Sequence, residues 1–417
     1  MGMNSMADLS VNYAGLALKN PLICASGPIT DTVEGCEAAA NAGFAAVVLK
    51  SIMHRGAGPL RYKHAVPRFQ IVDALRPYER WRPRLGIDRM GLCAWGEAGS
   101  VWTEEKYCCF VNEVKRTVGE CVKVGASVVG SVRNPESWDE YIEMFENSDA
   151  DFVEMDMGYP RFYGEIEKIP KIIAKAKNRL SKPLTVKMAP FLTDPVGTAR
   201  MFQNAGVDGL AMFDSTYGLD FNIDGMKLPF WNTWSPLPPG VLLSYTNARI
   251  AEARMGGIAT SISASFGPWH WEDAIKCIMS GSDAVQICRR VILRGCQEAT
   301  TWLEKMDSWL DRNGHKSVQE LKGKILDKIV MDYAGEIPRE EPLERGGIPS
   351  AKAVLDREKC AGCTDFCTRV CLYSALTAAD RQVSIDERKC AGCGMCEGVC
   401  SFRALSLQSR DIDKEEI

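Results

Sequence analysis

Along the first three hundred residues, short apolar and β-branched runs alternate with longer amphipathic stretches. The strand-like runs are Leu22–Ala25, Ala46–Lys50, Ser127–Ser131, Phe152–Asp156, Leu184–Lys187, Gly209–Phe213, Gly257–Ser263 and Ala284–Cys288. Helical patterns lie between most of them, among them Glu104–Val124 and Ile166–Arg179. Strands separated by helices predict a parallel sheet, and a count of eight predicts a closed (β/α)8 barrel. Periodicity alone also admits a doubly wound open sheet. In a barrel, chemistry sits at the carboxyl ends of the strands and in the loops that follow. That rule selects Lys50, Asp156, Lys187 and Asp214.

Two long insertions interrupt the pattern. One runs from His54 to Ser100, and the other, Tyr217–Gly240, is rich in Pro, Trp and Phe. Long aromatic loops on the catalytic face suit a cover over a substrate, and equally a structural lid or a subunit contact. After the barrel, expected over residues 1–315, a helical pattern covers Ser317–Val330. Tyr333–Ala351 then carries Pro, Gly and alternating charges, so 316–351 reads as a helical segment and linker. Residues 352–417 form the last domain.

Composition narrows the class. Of the 417 residues, 46% are apolar and 25% charged, which is ordinary globular material, and a net charge of −4 gives no reason to expect nucleic acid or an anionic membrane as partner. Residues Met1–Ser10 lack the basic start and apolar run of a signal peptide, and no apolar run approaches the ~20 residues of a membrane helix. A soluble, cytoplasmic protein is expected. Seventeen cysteines then point to metal ligands and reduced thiols rather than disulfides. Nine of them, from Cys24 to Cys296, lack ligand spacing and read as small buried hydrophobes.

The other eight lie within positions 360–400 in two half-repeats, Leu355–Thr377 and Ile385–Leu407. The second half holds C-x2-C-x2-C-x3-C at Cys390, Cys393, Cys396 and Cys400. The first holds C-x2-C-x3-C-x3-C at Cys360, Cys363, Cys367 and Cys371, one residue longer in the middle gap. Three thiolates on one tight loop reach three corners of a cuboidal [4Fe–4S] cluster, and the last cysteine of the other half takes the fourth. One cluster is therefore assigned to Cys360, Cys363, Cys367 and Cys400, the other to Cys390, Cys393, Cys396 and Cys371. Gly362, Gly392 and Gly394 keep the loops compact and leave N–H groups for the sulfurs. Paired C-x2-C motifs also bind zinc, but duplicated quartets favour iron. The proline that usually follows the fourth cysteine is replaced by Leu372 and Ser401. The predicted architecture is thus a TIM barrel followed by a two-cluster ferredoxin-like α+β domain.

The barrel motifs carry a resemblance. Asn20-Pro21-Leu22-Ile23-Cys24-Ala25-Ser26-Gly27, Gly43 through Ser51, Glu154 through Pro160, Val186 through Pro190, and Ala205 through Leu210 resemble the dihydroorotate dehydrogenase family of FMN barrels. The order of barrel, linker and two-cluster ferredoxin looks like the FMN- and cluster-bearing subunit of the dihydropyrimidine dehydrogenase branch. The resemblance covers nearly the whole chain. It implies FMN and two [4Fe–4S] clusters, with Lys50 and Lys187 at the flavin. There an ammonium stabilises the negative charge that two-electron reduction puts on the N1–C2 edge. It further implies flavin contacts at Ser26, Gly27, Ser131 and Ser215, next to Thr216, and substrate contact at Asn134. The phosphate loops read Ser265-Phe266-Gly267 and Cys288-Arg289-Arg290; one family glycine is missing, and Arg289 or Arg290 would supply charge-assisted bonds instead.

Two departures stand out. Where the family holds its pyrimidine with asparagines, this chain aligns Asp88, Asp156 and Asp214, and an ionised carboxylate only accepts hydrogen bonds. Where the family places a proton-transferring cysteine or serine before proline, this chain has Tyr159, with Arg161 and Tyr163 nearby. Tyrosine can serve as a general acid. The resemblance thus implies an FMN- and iron–sulfur-dependent oxidoreductase acting on a CH–CH or C=C bond of a small cyclic substrate. The three carboxylates leave open a donor-rich or cationic substrate, an electron-transfer subunit without its own substrate, or a redox-sensing barrel. No G-x-G-x-x-G follows a strand, so an NAD(P)H flavoprotein subunit or a ferredoxin is the expected electron partner. A homo-oligomer is the expected assembly.

Overall fold

The computed structural model describes residues 7–53, 68–71, 92–95, 100, 102–158, 160–214, 239–329, 351–363 and 367–409, with backbone alone at 68–71, 92–95, 160–163, 239–241 and 409. These fall into two compact units, one ending by residue 329 and one beginning at 351.

The larger unit is a closed barrel of eight parallel strands: β1 (Leu22–Cys24), β2 (Ala46–Val48), β3 (Lys123–Val129), β4 (Phe152–Met157), β5 (Leu184–Met188), β6 (Gly209–Met212), β7 (Ser261–Ala264) and β8 (Ala284–Ile287). Each strand pairs with the next, and β8 pairs with β1 through Val285↔Leu22 and Ile287↔Cys24, which closes the ring. All eight predicted strands are present, and closure eliminates the open-sheet alternative. The ends moved where local chemistry overrode periodicity: the helix α2, Glu104–Val118, stops short of its pattern because Gly119 takes φ +73 there, which frees Lys123 to begin β3. Beyond β2 the chain leaves the ladder at Leu49–Ser51 and returns to β3 with Ile52↔Val128, and this excursion turns Ser51 inward.

Helices follow the strands in turn: α1 (Val33–Asn41), α2, α3 (Asp139–Glu146), α4 (Ile169–Lys177), α5 (Pro195–Asn204), α6 (Pro239–Met255), α7 (Trp271–Met279), then α8 (Arg289–Arg294) and α9 (Glu298–Arg312). A hairpin of Val11–Tyr13 and Leu16–Leu18 precedes the barrel. Its Tyr13 closes the amino-terminal end of the barrel, where the Gly209 Cα leaves room for it: a Cβ there would lie 3.2 Å from the Tyr13 ring.

At that amino-terminal end one device recurs. An aspartate just before β4, β6 and β8 accepts the N–H of the preceding strand and pairs with a cation from the helix that leads into that preceding strand. Asp151 takes Val124 N (2.8 Å) and Lys115 (3.0 Å); Asp208 takes Leu184 N (2.7 Å) and Lys177; Asp283 takes Ile262 N (2.9 Å) and Arg254 (2.7 Å). Each carboxylate satisfies a strand-end donor that would otherwise be orphaned.

The segment after α9 corrects its prediction. Ser317–Val330 is not one helix: Val318–Leu321 and Leu326–Lys328 are short 3-10 turns, separated where Gly323 takes φ +70. Val318 and Leu321 are buried, Ser317 bridges to Asp8, and Lys322 pairs with Asp283, so the segment is strapped to the barrel. The candidate linker Tyr333–Ala351 lies outside the described residues except for Ala351, which opens a strand, and most of each long insertion lies outside them too; in the first, Arg68–Ile71 pairs antiparallel with Leu92–Trp95.

The smaller unit pairs β9 (Ala351–Leu355) with β12 (Leu405–Ser409), and β10 (Leu376–Ala379) with β11 (Gln382–Ile385), all antiparallel, with α10 (Met395–Val399) between. Its core mixes Ala353, Leu376, Val383 and Leu405 with Cys367, Cys390 and Cys396. Among the scattered cysteines, Cys24, Cys36 and Cys277 are buried as predicted, and burial pushes the Cys36 thiol up to about 12; Cys109 and Cys121 are exposed instead.

The three aspartate staples differ in burial, which orders their cost. Asp283→Ala strips Arg254, Lys322 and Ile262 N of a shared, buried partner and should destabilise the barrel by about 3–5 kcal/mol. Asp208→Ala breaks a pair about one-third exposed and should cost about 1 kcal/mol from the pair, plus the orphaned N–H. Denaturant titration of both variants checks that order.

Candidate active site

The carboxyl end of the barrel holds a buried polar layer where most of the strand residues are apolar. Strand β4 reads Phe-Val-Glu-Met-Asp-Met, and its period-2 alternation turns Glu154 and Asp156 to the same, inner face. Lys187 on β5, in register with Asp156, reaches Glu154 Oε1 at 2.8 Å, with the lysine side chain 4% exposed and the glutamate 0%. The other Glu154 oxygen accepts from Gln286 Nε2 of β8 at 3.0 Å, and the same amide donates to Ser263 of β7 at 3.1 Å. Ser263 in turn donates to the Tyr13 hydroxyl at 3.1 Å. A continuous chain of contacts thus runs from the hairpin plug to the Lys187 ammonium.

Burial by itself would drive Lys187 toward neutrality. Glu154, Asp156 and Asp214 outweigh it and hold the ammonium above its usual range, so this cation is permanent at any physiological pH. The carboxylates fare differently. Burial, then the charge of Asp214, push Asp156 up to about 7, against the pull of Lys187 and of Gly158 N, which donates to Asp156 Oδ1 at 2.9 Å. Asp214 follows β6, its own N–H bound to Met188 O of β5 at 2.8 Å. Its side chain lies flat against Gly158: a Cβ there would sit 2.3 Å from Asp214 Cβ and 2.4 Å from Oδ2. Only glycine leaves room for the Asp214 side chain against this backbone.

Serines extend the layer outward. Ser51 Oγ shares a 2.8 Å hydrogen bond with Ser127 Oγ, contacts Asp156 Oδ2 at 3.5 Å, and shares a 3.1 Å bond with Ser26 Oγ at the end of β1. Lys50 brings its backbone there: its N–H donates to Thr30 O, and its carbonyl accepts from Tyr107 at 2.9 Å.

The structure therefore gathers Lys187, Asp156 and Asp214 into one site and links Ser26 to it. Ser131 and Asn134 form a separate turn after β3, with Asn134 exposed and its N–H donated to Ser131 Oγ at 3.3 Å. At the loops expected to hold phosphate, Gly27 packs so tightly that a Cβ would meet Cys288 Sγ at 2.6 Å, and Gly267, at φ +108, backs onto Leu243 N. Arg289 opens α8, while the Arg290 guanidinium binds Glu298 at 2.8 Å and covers the Trp269 ring, so its charge is already engaged. Asp88, Tyr159, Ser215 and Thr216 lie outside the described residues, as do the side chains of Arg161 and Tyr163. The sequence reading missed Glu154, Ser51, Ser127 and Gln286. The signal for Glu154 was available: two acids spaced i, i+2 in a strand otherwise apolar.

The smaller unit repeats its cysteine geometry about the two halves. Cys360 N binds Asp356 O and Cys390 N binds Asp386 O, both at 3.1 Å. Ala375 N donates to Cys371 Sγ, and Ala404 N to Cys400 Sγ, both at 3.2 Å; Ala353 N donates to Cys390 Sγ at 3.3 Å. Gly362 and Gly392 take φ +62 and +65, each with its Cα against a carbonyl, that of Arg381 or Ala351, where a Cβ would clash. One cavity is lined by Cys371 together with Cys390, Cys393 and Cys396, and the Cys367 thiol senses Cys363, Cys400 and Cys360. Crossed quartets would draw on these same residues. N–H donors aimed at sulfur suit thiolates that carry cluster charge, so the residues fit [4Fe–4S] groups.

A family model described as Dihydroorotate dehydrogenase matches residues 8–225, more than half of the chain. The chain belongs to the dihydroorotate dehydrogenase family. A 4Fe-4S binding domain model matches residues 383–406, the half that holds Cys390 through Cys400. Among similar proteins, the PreA subunit of NAD-dependent dihydropyrimidine dehydrogenase from Escherichia coli K12 is 23% identical over 379 residues, covering 85% of this chain and 84% of that one. The chloroplastic dihydropyrimidine dehydrogenase (NADP(+)) of Arabidopsis thaliana is 21% identical over 376 residues, 84% of this chain and 85% of its own. The catalytic subunit of dihydroorotate dehydrogenase B (NAD(+)) from Methanocaldococcus jannaschii is 24% identical over 328 residues, 73% of this chain and 96% of its own.

As a member of this family the chain is a flavin and iron–sulfur oxidoreductase, with FMN at the barrel and 4Fe–4S in the smaller unit. A buried, charged ammonium such as that of Lys187 is a donor of the kind that a flavin's N1–C2 edge requires, so the barrel residues fit FMN as well. No helix among the described residues is long and apolar enough to cross a membrane.

The crossed quartets predict a mutational pattern. Cys371→Ala should lower iron from about eight to about four per chain and leave the same residual cluster spectrum as Cys396→Ala. Cys367→Ala should leave the other. Iron analysis and low-temperature EPR of anaerobically purified variants check this, and matching spectra for Cys371→Ala and Cys367→Ala would break the assignment.

Proposed function

We propose that this protein reduces or oxidises a carbon–carbon bond, CH–CH or C=C, in a small cyclic compound, in the manner of a dihydropyrimidine dehydrogenase. The observation that carries the reading is the Lys187 ammonium, sealed in the barrel against Glu154 and facing Asp156 and Asp214 at the strand ends. Bound FMN supplies hydride transfer, and the clusters supply single electrons. The chain's own residues then do three things. Lys187 places a fixed positive charge where reduction deposits negative charge, in a water-poor layer where it is worth most. Glu154 and Gln286 keep that ammonium from swinging away. Asp156, whose carboxyl pKa is raised by burial and then by the charge of Asp214, stands within reach of Ser51.

Tyr159 remains our proposed proton donor to the substrate carbon, and Lys50 the second cation at the flavin. Electrons enter from a partner, an NAD(P)H flavoprotein subunit or a ferredoxin; the relatives named NAD-dependent and NADP(+)-linked support a nicotinamide source. A homo-oligomer is the assembly we propose. A second reading, a cationic ring held by carboxylates, is favoured by the acid pair at the strand ends.

Anaerobic titration of the oxidised holoenzyme with dihydrouracil, dihydrothymine and dihydroorotate tests the reading. Bleaching of the flavin band by one of them is expected. A flavin that dithionite reduces, but that all three leave oxidised and that uracil does not perturb, would rule the pyrimidine assignment out. Lys187→Met should slow bleaching by about 10²–10³-fold at saturating substrate while the flavin stays bound.

A further inference from the structure

On the outer wall of the barrel, a cavity of about 310 Å³ opens between the Pro135–Trp138 turn and α4. That volume lies within the range of small-ligand sites. Its floor is apolar, built from Pro135, Trp138, Ile172 and Ala176. Trp138 is fixed there. Its ring lies against Gly130, where a Cβ would come within 2.4 Å, and its indole N–H donates to Ser131 O at 3.2 Å. The charged side chains that line the cavity are three cations, Lys168, Lys171 and Lys175, and one anion, Asp139. Asp139 is already engaged, by Lys175 and by Arg179 at 3.3 Å. Lys168 pairs with Glu165, and Lys171 has no ion-pair partner among the described residues.

These lysines work against their own helix. Their spacing along the chain sets them on one stripe, where like charges repel. Lys168 is the N-cap of α4 and Lys171 lies in its first turn, which carries no acid. The positive end of a helix dipole disfavours cations there. A bound anion would offset both costs at once. The chain as a whole carries a net charge of −4, so this basic rim is a local feature and not a general tendency of the surface.

We propose that the cavity between the Pro135–Trp138 turn and α4 binds a phosphate monoester with a small apolar body. The body enters the apolar floor, and the phosphate meets the rim of Lys168, Lys171 and Lys175. A phosphate monoester suits several converging ammoniums, because it brings about two negative charges and strong acceptor oxygens to one point. The cavity shares no residue with the polar layer of Lys187, Glu154 and Asp156, so the inference stands apart from the oxidoreductase reading.

The test is isothermal titration of the full-length holoenzyme with phenyl phosphate. Lys171→Glu and Lys171→Met are compared with Lys19→Glu, an equal charge reversal at an exposed lysine directly after the amino-terminal hairpin. Flavin and iron content report whether each variant has folded. Saturable binding at one site per chain is expected, weakened about tenfold or more by Lys171→Glu, less by Lys171→Met, and unchanged by Lys19→Glu. Inorganic phosphate and benzyl alcohol, each offering half of the ligand, should bind at least about tenfold more weakly than phenyl phosphate. Thermal melting supplies a readout of opposite sign. Lys171→Glu places an acid in the first turn of α4, so without ligand it should melt no lower than wild type while it binds worse. The proposal is overturned by any of four results: no saturable binding at millimolar phenyl phosphate, Lys171→Glu binding as wild type does, equal losses in Lys171→Glu and Lys19→Glu, or inorganic phosphate binding as tightly as its phenyl ester. Binding that saturating uracil abolishes would place phenyl phosphate at the barrel mouth and overturn it as well.

Discussion

The ion pair between Lys187 and Glu154 organises the barrel site. A lysine 4% exposed can stay charged only if a carboxylate accompanies it, and Glu154, fully buried itself, is tolerable only because Lys187 and Gln286 occupy its oxygens. Strand register makes the pairing possible: Thr185↔Glu154 and Lys187↔Asp156 bring adjacent inner positions of β4 and β5 together. The tilt of a closed barrel then staggers inner side chains from neighbouring strands into layers. Everything above that pair inherits its charge state. Were Lys187 neutral, Asp156 would lose the counter-charge that restrains its rise.

Much of this architecture was legible in the sequence because it is written in local periods. Each predicted strand coincides with a barrel strand, and the two cysteine quartets carry their own spacing. The helix ends and the Ser317–Val330 segment were less legible, since Gly119 and Gly323 act through positive φ rather than through hydrophobic pattern. Lys187, Asp156 and Asp214 were found by the rule of strand ends. Glu154 and Gln286 were not, because they lie one layer deeper, where sequence alone suggests packing. Ser51 was invisible for another reason: it points inward only because the chain leaves the β2 ladder and returns.

The smaller unit shows how duplication solves a geometric problem. The same turn, with a left-handed glycine and an aspartate carbonyl holding the first cysteine, occurs twice, and Cys371, the last cysteine of the first half, lines a cavity with three cysteines of the second. With the crossed assignment neither half would close a cluster alone, and the fold and the metal sites would be one cooperative object. The two halves also place Ala375 N and Ala404 N alike on Cys371 and Cys400.

The aspartate staples under β4, β6 and β8 have a consequence for how this barrel evolves. Each one ties an odd-numbered strand to its even-numbered successor, the carboxylate before the second strand accepting an N–H of the first, so the wall is assembled from two-strand cassettes fastened at the end opposite Asp156 and Asp214. The fastenings and the chemistry share no residues. Replacement of an amide by a carboxyl at a strand tip can then be absorbed at that tip, while the seams that keep the cylinder round stay untouched. A barrel fastened this way can exchange one substrate for another without renegotiating its own shape.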